Sequence, residues 1–232
     1  MPAETRYRLA MQHAQRNSRI LAAVAPGVVT DPPPRWQQQK SARTRAHIVE
    51  GAVACLVEHG YAGLTTAAVA TRCKVSRGTM AHHFASRGDL VAALTEHVFH
   101  DRMHGFLQEY GRLLDERGEA RLVEVASEAH WHSVQSRQYA AYLELAAAAR
   151  TDAQLRAVFE PAAQRFDRVW TEEMVEAFPQ WQRHWDALKL ANDFTIAAHT
   201  GLLLQGPVFG AARIEAVRKL IAGVVKSLYD EP

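Results

Sequence analysis

The residues best suited to chemistry fall into two groups, a basic block and a set of histidines. Arg35, Lys40, Arg43, Arg45, Arg72, Lys74, Arg77 and Arg87 lie between positions 35 and 90, opposed only by Glu50, Glu58 and Asp89. Beyond Leu90 the balance reverses to an acidic excess, so the overall charge of +2 conceals a basic module beside an acidic body. Such an asymmetry suits a polyanion met by one part of the chain. His97, His100 and His104 recur at helical spacing, and His130 and His132 flank Trp131. Imidazoles on adjacent turns can ligate zinc or nickel. With no cysteine nearby and no clear carboxylate partner, cavity-lining or surface histidines are the expectation, and no metal or other cofactor is assigned. No nucleophile–base spacing, phosphate loop or paired-acid motif points to an enzyme. Cys55 and Cys73 stand far apart and read as free thiols of a reducing, cytoplasmic compartment.

The elements that must position these residues are all helical. The 232 residues are 48% apolar, enough for a sizeable core, and no apolar run reaches the length of a membrane span. Residues 1–39 form an extension. Tyr7, Ala10, Met11, Ala14, Leu21 and Ala25 give it one amphipathic helix, and Asp31-Pro32-Pro33-Pro34 a stiff linker. Residues 40–88 form a small module. Ile48, Val49, Ala52, Val53, Leu56 and Val57 make the stripe of a helix that Gly60 ends in a left-handed cap. Thr65 caps a short helix to about Cys73, Ser76 caps another to about Phe84, and Ser86-Arg87-Gly88-Asp89 opens a longer one. Two short helices joined by a tight turn, braced on both sides, are a helix-turn-helix. Residues 89–232 form a larger helical body ending in two helices, about Trp185–Gln205 and Ala212–Tyr229, separated by Gly206-Pro207 and Gly210.

Residues 43–94 resemble the TetR family of bacterial transcriptional regulators. The resemblance rests on Gly60-Tyr61-Ala62-Gly63-Leu64-Thr65-Thr66-Ala67-Ala68-Val69-Ala70, on Val75-Ser76-Arg77-Gly78-Thr79-Met80-Ala81-His82-His83-Phe84 and on Ser86-Arg87-Gly88-Asp89-Leu90. Two positions depart from the family pattern. Lys74 stands where the turn usually has Gly, at a place that wants positive φ, and Ala81 where the recognition helix usually has Tyr. An altered operator preference follows from those two changes.

The resemblance implies double-stranded DNA as a partner. A recognition helix offers its N-terminal and outward side chains to base edges. Here those are Arg77, Thr79, Ala81 and His82, with Gly78 permitting close approach. Arg77 matches the O6/N7 edge of guanine and Ala81 a thymine methyl. Ser76, Thr65, Thr66, Lys74, His83 and Arg87 are assigned around that helix, mostly to phosphates, and Lys40, Arg43 and Arg45 to the backbone or minor groove. In the body, His104, Trp131, Gln135, Tyr139, Phe166, Trp170 and His199 are the candidate lining of a small-molecule cavity. Leu188, Thr195, Leu202, Ile221, Val224 and Leu228 lie on stripes that pack internally or meet a second copy, and the resemblance favours the homodimer. The expectation is a ligand-responsive repressor released from a palindromic operator. The alternatives are an activator of the same fold and a ligand- or metal-binding helical protein that no longer binds DNA.

Overall fold

A computed structural model describes residues 3–25, 36–118, 122–177 and 185–230. They form ten α-helices and no strand. In chain order these are α1 (Ala3–Val24), α2 (Trp36–Gly63), α3 (Thr66–Cys73), α4 (Arg77–His83) and α5 (Arg87–Arg117). They are followed by α6 (Leu122–Val134), α7 (Arg137–Ala149), α8 (Ala153–Ala177), α9 (Trp185–Leu204) and α10 (Gly206–Asp230). The expected Pro-rich linker lies outside the described residues. The helix before the turn starts at Trp36, inside the expected extension.

The local signals act where the sequence places them. Thr65 Oγ1 accepts from Ala68 N at 3.1 Å and Ser76 Oγ from Thr79 N at 3.0 Å, each satisfying a donor left over in a first helical turn. Ser86 and Asp89 close a reciprocal box. Ser86 N donates to Asp89 Oδ2 at 2.9 Å, and Asp89 N donates to Ser86 Oγ at 3.1 Å. Gly60 has φ 66° and ψ 177°, so it kinks α2 instead of forming the expected left-handed cap, and the chain resumes one more turn. Pro207 lies in the first turn of α10, where a missing N–H costs nothing, and the backbone break falls at Gly210 alone, with φ 70°.

The packing divides the chain into two compact units, and not at residues 39 and 88. One unit comprises residues 21–102 and 137–167. In it α3 packs on α2 and α4 on α3, while α7 lies along the other part of α2. Ile48, Ala52, Leu56, Leu64, Val69, Met80, Phe84, Leu90 and Leu94 share one buried cluster with Ala141, Leu145 and Leu155. The helix-turn-helix therefore has no core separate from α7 and α8. Gly51 is required there, because a Cβ at that position would stand 2.1 Å from Cys73 Sγ.

The other unit comprises residues 1–20, 103–136 and 168–232. In it α9 packs against both α6 and α10, and α6 also meets α10. A cluster of Tyr110, Leu113, Leu114, Val125 and Ala129 fills the space between the end of α5 and α6. The N-terminal helix is tied into this unit by Arg19, which donates to Glu173 Oε2 and Glu176 Oε1 of α8, both at 2.8 Å.

Candidate functional site

The outward side of the helix-turn-helix is built on those caps and that core. Met80 and Phe84 hold α4 from beneath, which leaves Arg77, Gly78, Ala81 and His82 exposed and Thr79 half-buried. Arg77 makes no ion pair among the described residues, so its planar fork of donors points outward unspent. Thr65 and Ser76 use an oxygen lone pair each in capping. Ser76 Oγ also shares a hydrogen bond of 2.9 Å with Thr79 Oγ1, which orients that hydroxyl along the helix. Thr66 is half-buried beside its cap.

Lys74 occupies the left-handed region, with φ 54° and ψ 39°, and its N–H reaches the carbonyls of Ala70 and Thr71. It is the only non-glycine with positive φ among the described residues. A Cβ is therefore carried where glycine would be relaxed, at a cost of about 1 kcal/mol. The side chain that strains the turn is also an exposed cation beside α4.

Two assignments change on meeting the structure. Arg87 is exposed but has three of its five N–H groups already engaged within the chain. Its Nε donates to Leu64 O at 2.8 Å, Nη2 to Tyr61 O at 3.0 Å and Nη1 to Tyr61 Oη at 3.2 Å, with the guanidinium 4.4 Å from the Tyr61 ring centroid. It clamps the start of α5 to the segment before α3. His83 is half-buried, and burial, then the positive neighbours His82 and Arg45, push it below the ordinary histidine value. On α2, Lys40, Arg43 and Arg45 are exposed. Arg45 rests 4.5 Å from the Phe84 ring centroid, and Lys40 lies 5.6 Å from that of Trp36.

The candidate ligand lining does not come together as one set. His104 is exposed and bonds Gln108 at 3.1 Å, one turn along its own helix. Gln135 donates to Trp131 O at 2.9 Å, and Trp170 stands edge-on to Phe106. Trp131 and His199 do meet, edge to face with centroids 5.4 Å apart, and Arg218 lies over Trp131. His199 also borders a polar cleft of about 230 Å³ lined by Glu124, Glu128, Glu215 and Arg218. Tyr139 and Phe166 belong to the other unit, where both face Arg102, a residue that sequence periodicity gave no reason to single out. The signal that existed was negative, an arginine on an otherwise apolar helix face.

The histidine face of α5 also resolves differently. His97 Nε2 lies 3.3 Å from Glu50 Oε2 and 3.2 Å from Asp101 Oδ2, and His100 lies 3.1 Å from Asp101 Oδ1. One carboxylate, Asp101, is local to the histidines, and the other, Glu50, comes from α2. One ligand atom each from Glu50, His97 and Asp101 falls within 4.8 Å of the others. Arg137 already holds Glu50 Oε1 at 2.6 Å, so the cluster is balanced by an internal cation.

The last two helices require a correction. Leu188, Thr195, Leu202 and Ile221 are buried within the chain itself, so they are not available to a second copy. Leu228 is half-buried, and Val224 is exposed. The outward apolar face of α9 is instead Leu190, Phe194, Ala197, Gly201 and Leu204, one side of the helix, and Leu220 joins Val224 on α10.

Comparison with known proteins agrees with this architecture. Residues 48–94 match the family model of bacterial regulatory proteins, tetR family. The HTH-type transcriptional repressor AcnR of Corynebacterium glutamicum is 33% identical over 118 residues, covering 51% of this chain and 57% of its own. An uncharacterized HTH-type transcriptional regulator of Mycobacterium tuberculosis is 29% identical over 83 residues, covering 36% and 43%. The chain thus spans about half the length of the curated relatives it matches. Among solved structures, the multidrug binding protein EbrR, complexed with imidazole, superposes with a TM-score of 0.55 at 20% identity, over 81% of this chain and 96% of its own. GusR of Salmonella enterica gives 0.52 at 17% identity, over 85% and 98%. These two show the fold. The capped helices, the tight turn and the outward basic face all stand on the residues that match this family model, so residues 48–94 are a helix-turn-helix module of the tetR type.

Proposed function

We propose that this protein is a homodimeric transcriptional repressor that binds a palindromic operator and leaves it when a small molecule binds. The observation that carries the reading is Arg77, exposed and, among the described residues, without an ion pair, on the first turn of a capped helix held by Met80 and Phe84. Such a guanidinium is positioned to donate twice to guanine in the major groove. Two copies related by a two-fold axis would set their recognition helices about 34 Å apart, one turn of DNA. The apolar face of α9 and α10 supports that dimer, since an uncovered patch of this kind is characteristic of an interface. The repressor AcnR and the ligand-binding EbrR lend weight to repression and to effector binding respectively. Helix α5 starts directly behind α4 and runs unbroken to Arg117, so a ligand that favours one setting of α5 would change the operator affinity. A coupling of about 1–3 kcal/mol is sufficient. Nothing in this reading requires catalysis.

The test is binding-site selection with the wild type and Arg77→Ala, repeated at two salt concentrations. Arg77→Ala is expected to lose about 1–3 kcal/mol on the selected operator and to relax one symmetric pair of positions. The wild-type affinity should fall steeply with salt, about 0.9 in the logarithmic slope for each phosphate neutralised. A flat salt response, or an unchanged selected sequence for Arg77→Ala, overturns the reading.

A further inference from the structure

Among the described residues, Arg102 is a cation without an anion. It lies on α5 with its Cζ 3.8 Å from the ring centroid of Tyr142, 4.7 Å from Tyr139, 5.1 Å from Phe166 and 5.8 Å from Phe99. Its Nε is enclosed and has no hydrogen-bond partner, and no carboxylate pairs with the guanidinium among the described residues. Loss of water pushes the group below the ordinary arginine value, and the only titratable groups acting on it are the phenols of Tyr142 and Tyr139. Nearby arginines of the same unit are treated differently, since Arg137 holds Glu50 and Arg165 holds Glu96.

Ring faces attract a guanidinium through their quadrupole, but they do not accept the hydrogen bonds that its N–H groups offer in plane. A desolvated cation with such bonds unmade is costly, and a residue serving only to fill space there would be apolar. The residue is only partly buried, and of its guanidinium Nε alone is both enclosed and unpartnered, so the space open to a partner lies at the tip of the fork. What fits that space must accept hydrogen bonds in the guanidinium plane, neutralise the charge and tolerate aromatic walls. A carboxylate on an apolar body does all three, because its two oxygens match the guanidinium fork.

We propose that Arg102, its guanidinium set among the rings of Tyr139, Tyr142, Phe99 and Phe166, anchors an effector site for a carboxylic acid with an apolar body. The proposal rests on the ligand-responsive reading above and names the class of ligand. It also places the ligand on α5, the helix that Ser86 and Asp89 start directly after the recognition helix.

The test is thermal melting of the full chain with benzoate, phenylacetate and hexanoate at about 10 mM, each beside its neutral amide. Binding to the native state raises the melting temperature by mass action. At least one acid is expected to raise it by a few degrees while its amide does not. Arg102→Met should abolish that response and melt no lower than wild type without ligand. Arg102→Lys, which keeps the charge and loses the fork, should weaken the acid about tenfold. If no acid shifts wild type, or if either variant responds as wild type does, the proposal fails. Should Arg102→Met not fold, Arg102→Lys alone decides. The same compounds, with neutral and cationic ones added, are then tried on the operator complex. Release only by neutral or cationic compounds sinks the carboxylate site and leaves ligand-responsiveness standing. An acid that stabilises the protein through Arg102 but leaves operator affinity unchanged upholds the site and sinks the responsiveness.

Discussion

Lys74 shows how one residue can carry two opposed effects. Its positive φ strains the turn, while its charge sits on the face that would meet phosphate. Lys74→Gly should therefore raise the stability of the free protein by up to about 1 kcal/mol, read as a higher denaturant midpoint. It should also weaken binding to all DNA sequences alike and lower the salt slope by about one unit. A second residue-scale effect belongs to His199, which is almost fully buried. Burial, then the positive Arg218, hold it down to about 4. Its Nδ1 lies 3.1 Å from His130 Nδ1, which requires one of the two nitrogens to be without a proton. Because the folded value lies below that of an unfolded histidine, the unfolded chain binds the proton first as pH falls. The stability it contributes is thus complete above about pH 6.5 and is lost as pH falls to about 4, by up to about 3 kcal/mol. Chemical denaturation of the wild type and His199→Gln across that range checks this. The variant should show the shallower loss.

At the scale of elements, the closest fit is between α2 and α3. Cys73 Sγ occupies the place where a side chain on Gly51 would begin, and the same thiol donates to His47 O at 3.6 Å. Gly51→Ala must push α3 away or turn the cysteine, at about 1–3 kcal/mol, the usual range for overpacking a filled core. Cys73→Ala removes the obstructing atom. The double variant should therefore be more stable than the sum of the two single losses predicts, a coupling readable by urea denaturation. Arg87 acts at the same scale. By tying Tyr61 and Leu64 to the first turn of α5, it fixes the helix that follows α4 to the end of α2 and the segment before α3.

For the whole molecule, assembly depends on which side of α9 faces outward. Leu204 is 63% exposed and Leu202 only 3%, though they are two positions apart on one helix. Leu204→Glu should leave the fold of a single chain intact and place a carboxylate in the proposed interface, where an unpaired charge costs several kcal/mol. Sedimentation is expected to find folded monomers with much weaker operator affinity. Leu202→Glu should instead lower the melting temperature sharply, because it puts the charge into the core of one subunit. If Leu204→Glu remains a dimer, the interface lies elsewhere.

What the sequence determined by itself was local. Thr65 and Ser76 announced their helices because a cap is decided within four residues, and the reciprocal Ser86–Asp89 box was legible for the same reason. The positive φ at Lys74 could be foreseen from the resemblance, because the family pattern usually carries Gly at that place in the turn. The matching of residues 43–94 to a known pattern added the function expected of that module. The tertiary structure decided whatever depends on distant partners. Arg87 reads in the sequence as a phosphate contact, and only the fold shows that Tyr61 and Leu64, more than twenty residues earlier, take three of its donors. For the histidines of α5, Asp101 stands beside them in the sequence, but Glu50 is supplied by another helix and only the fold brings it to His97. On α9 the apolar residues cover most of the circumference, so periodicity alone did not distinguish the inner stripe from the outer one. Only packing against α6 and α10 assigned Leu202 to the core and Leu204 to the surface. Arg102 is the extreme case, since an arginine ringed by aromatic side chains from α5, α7 and α8 exists only once those helices have been brought together.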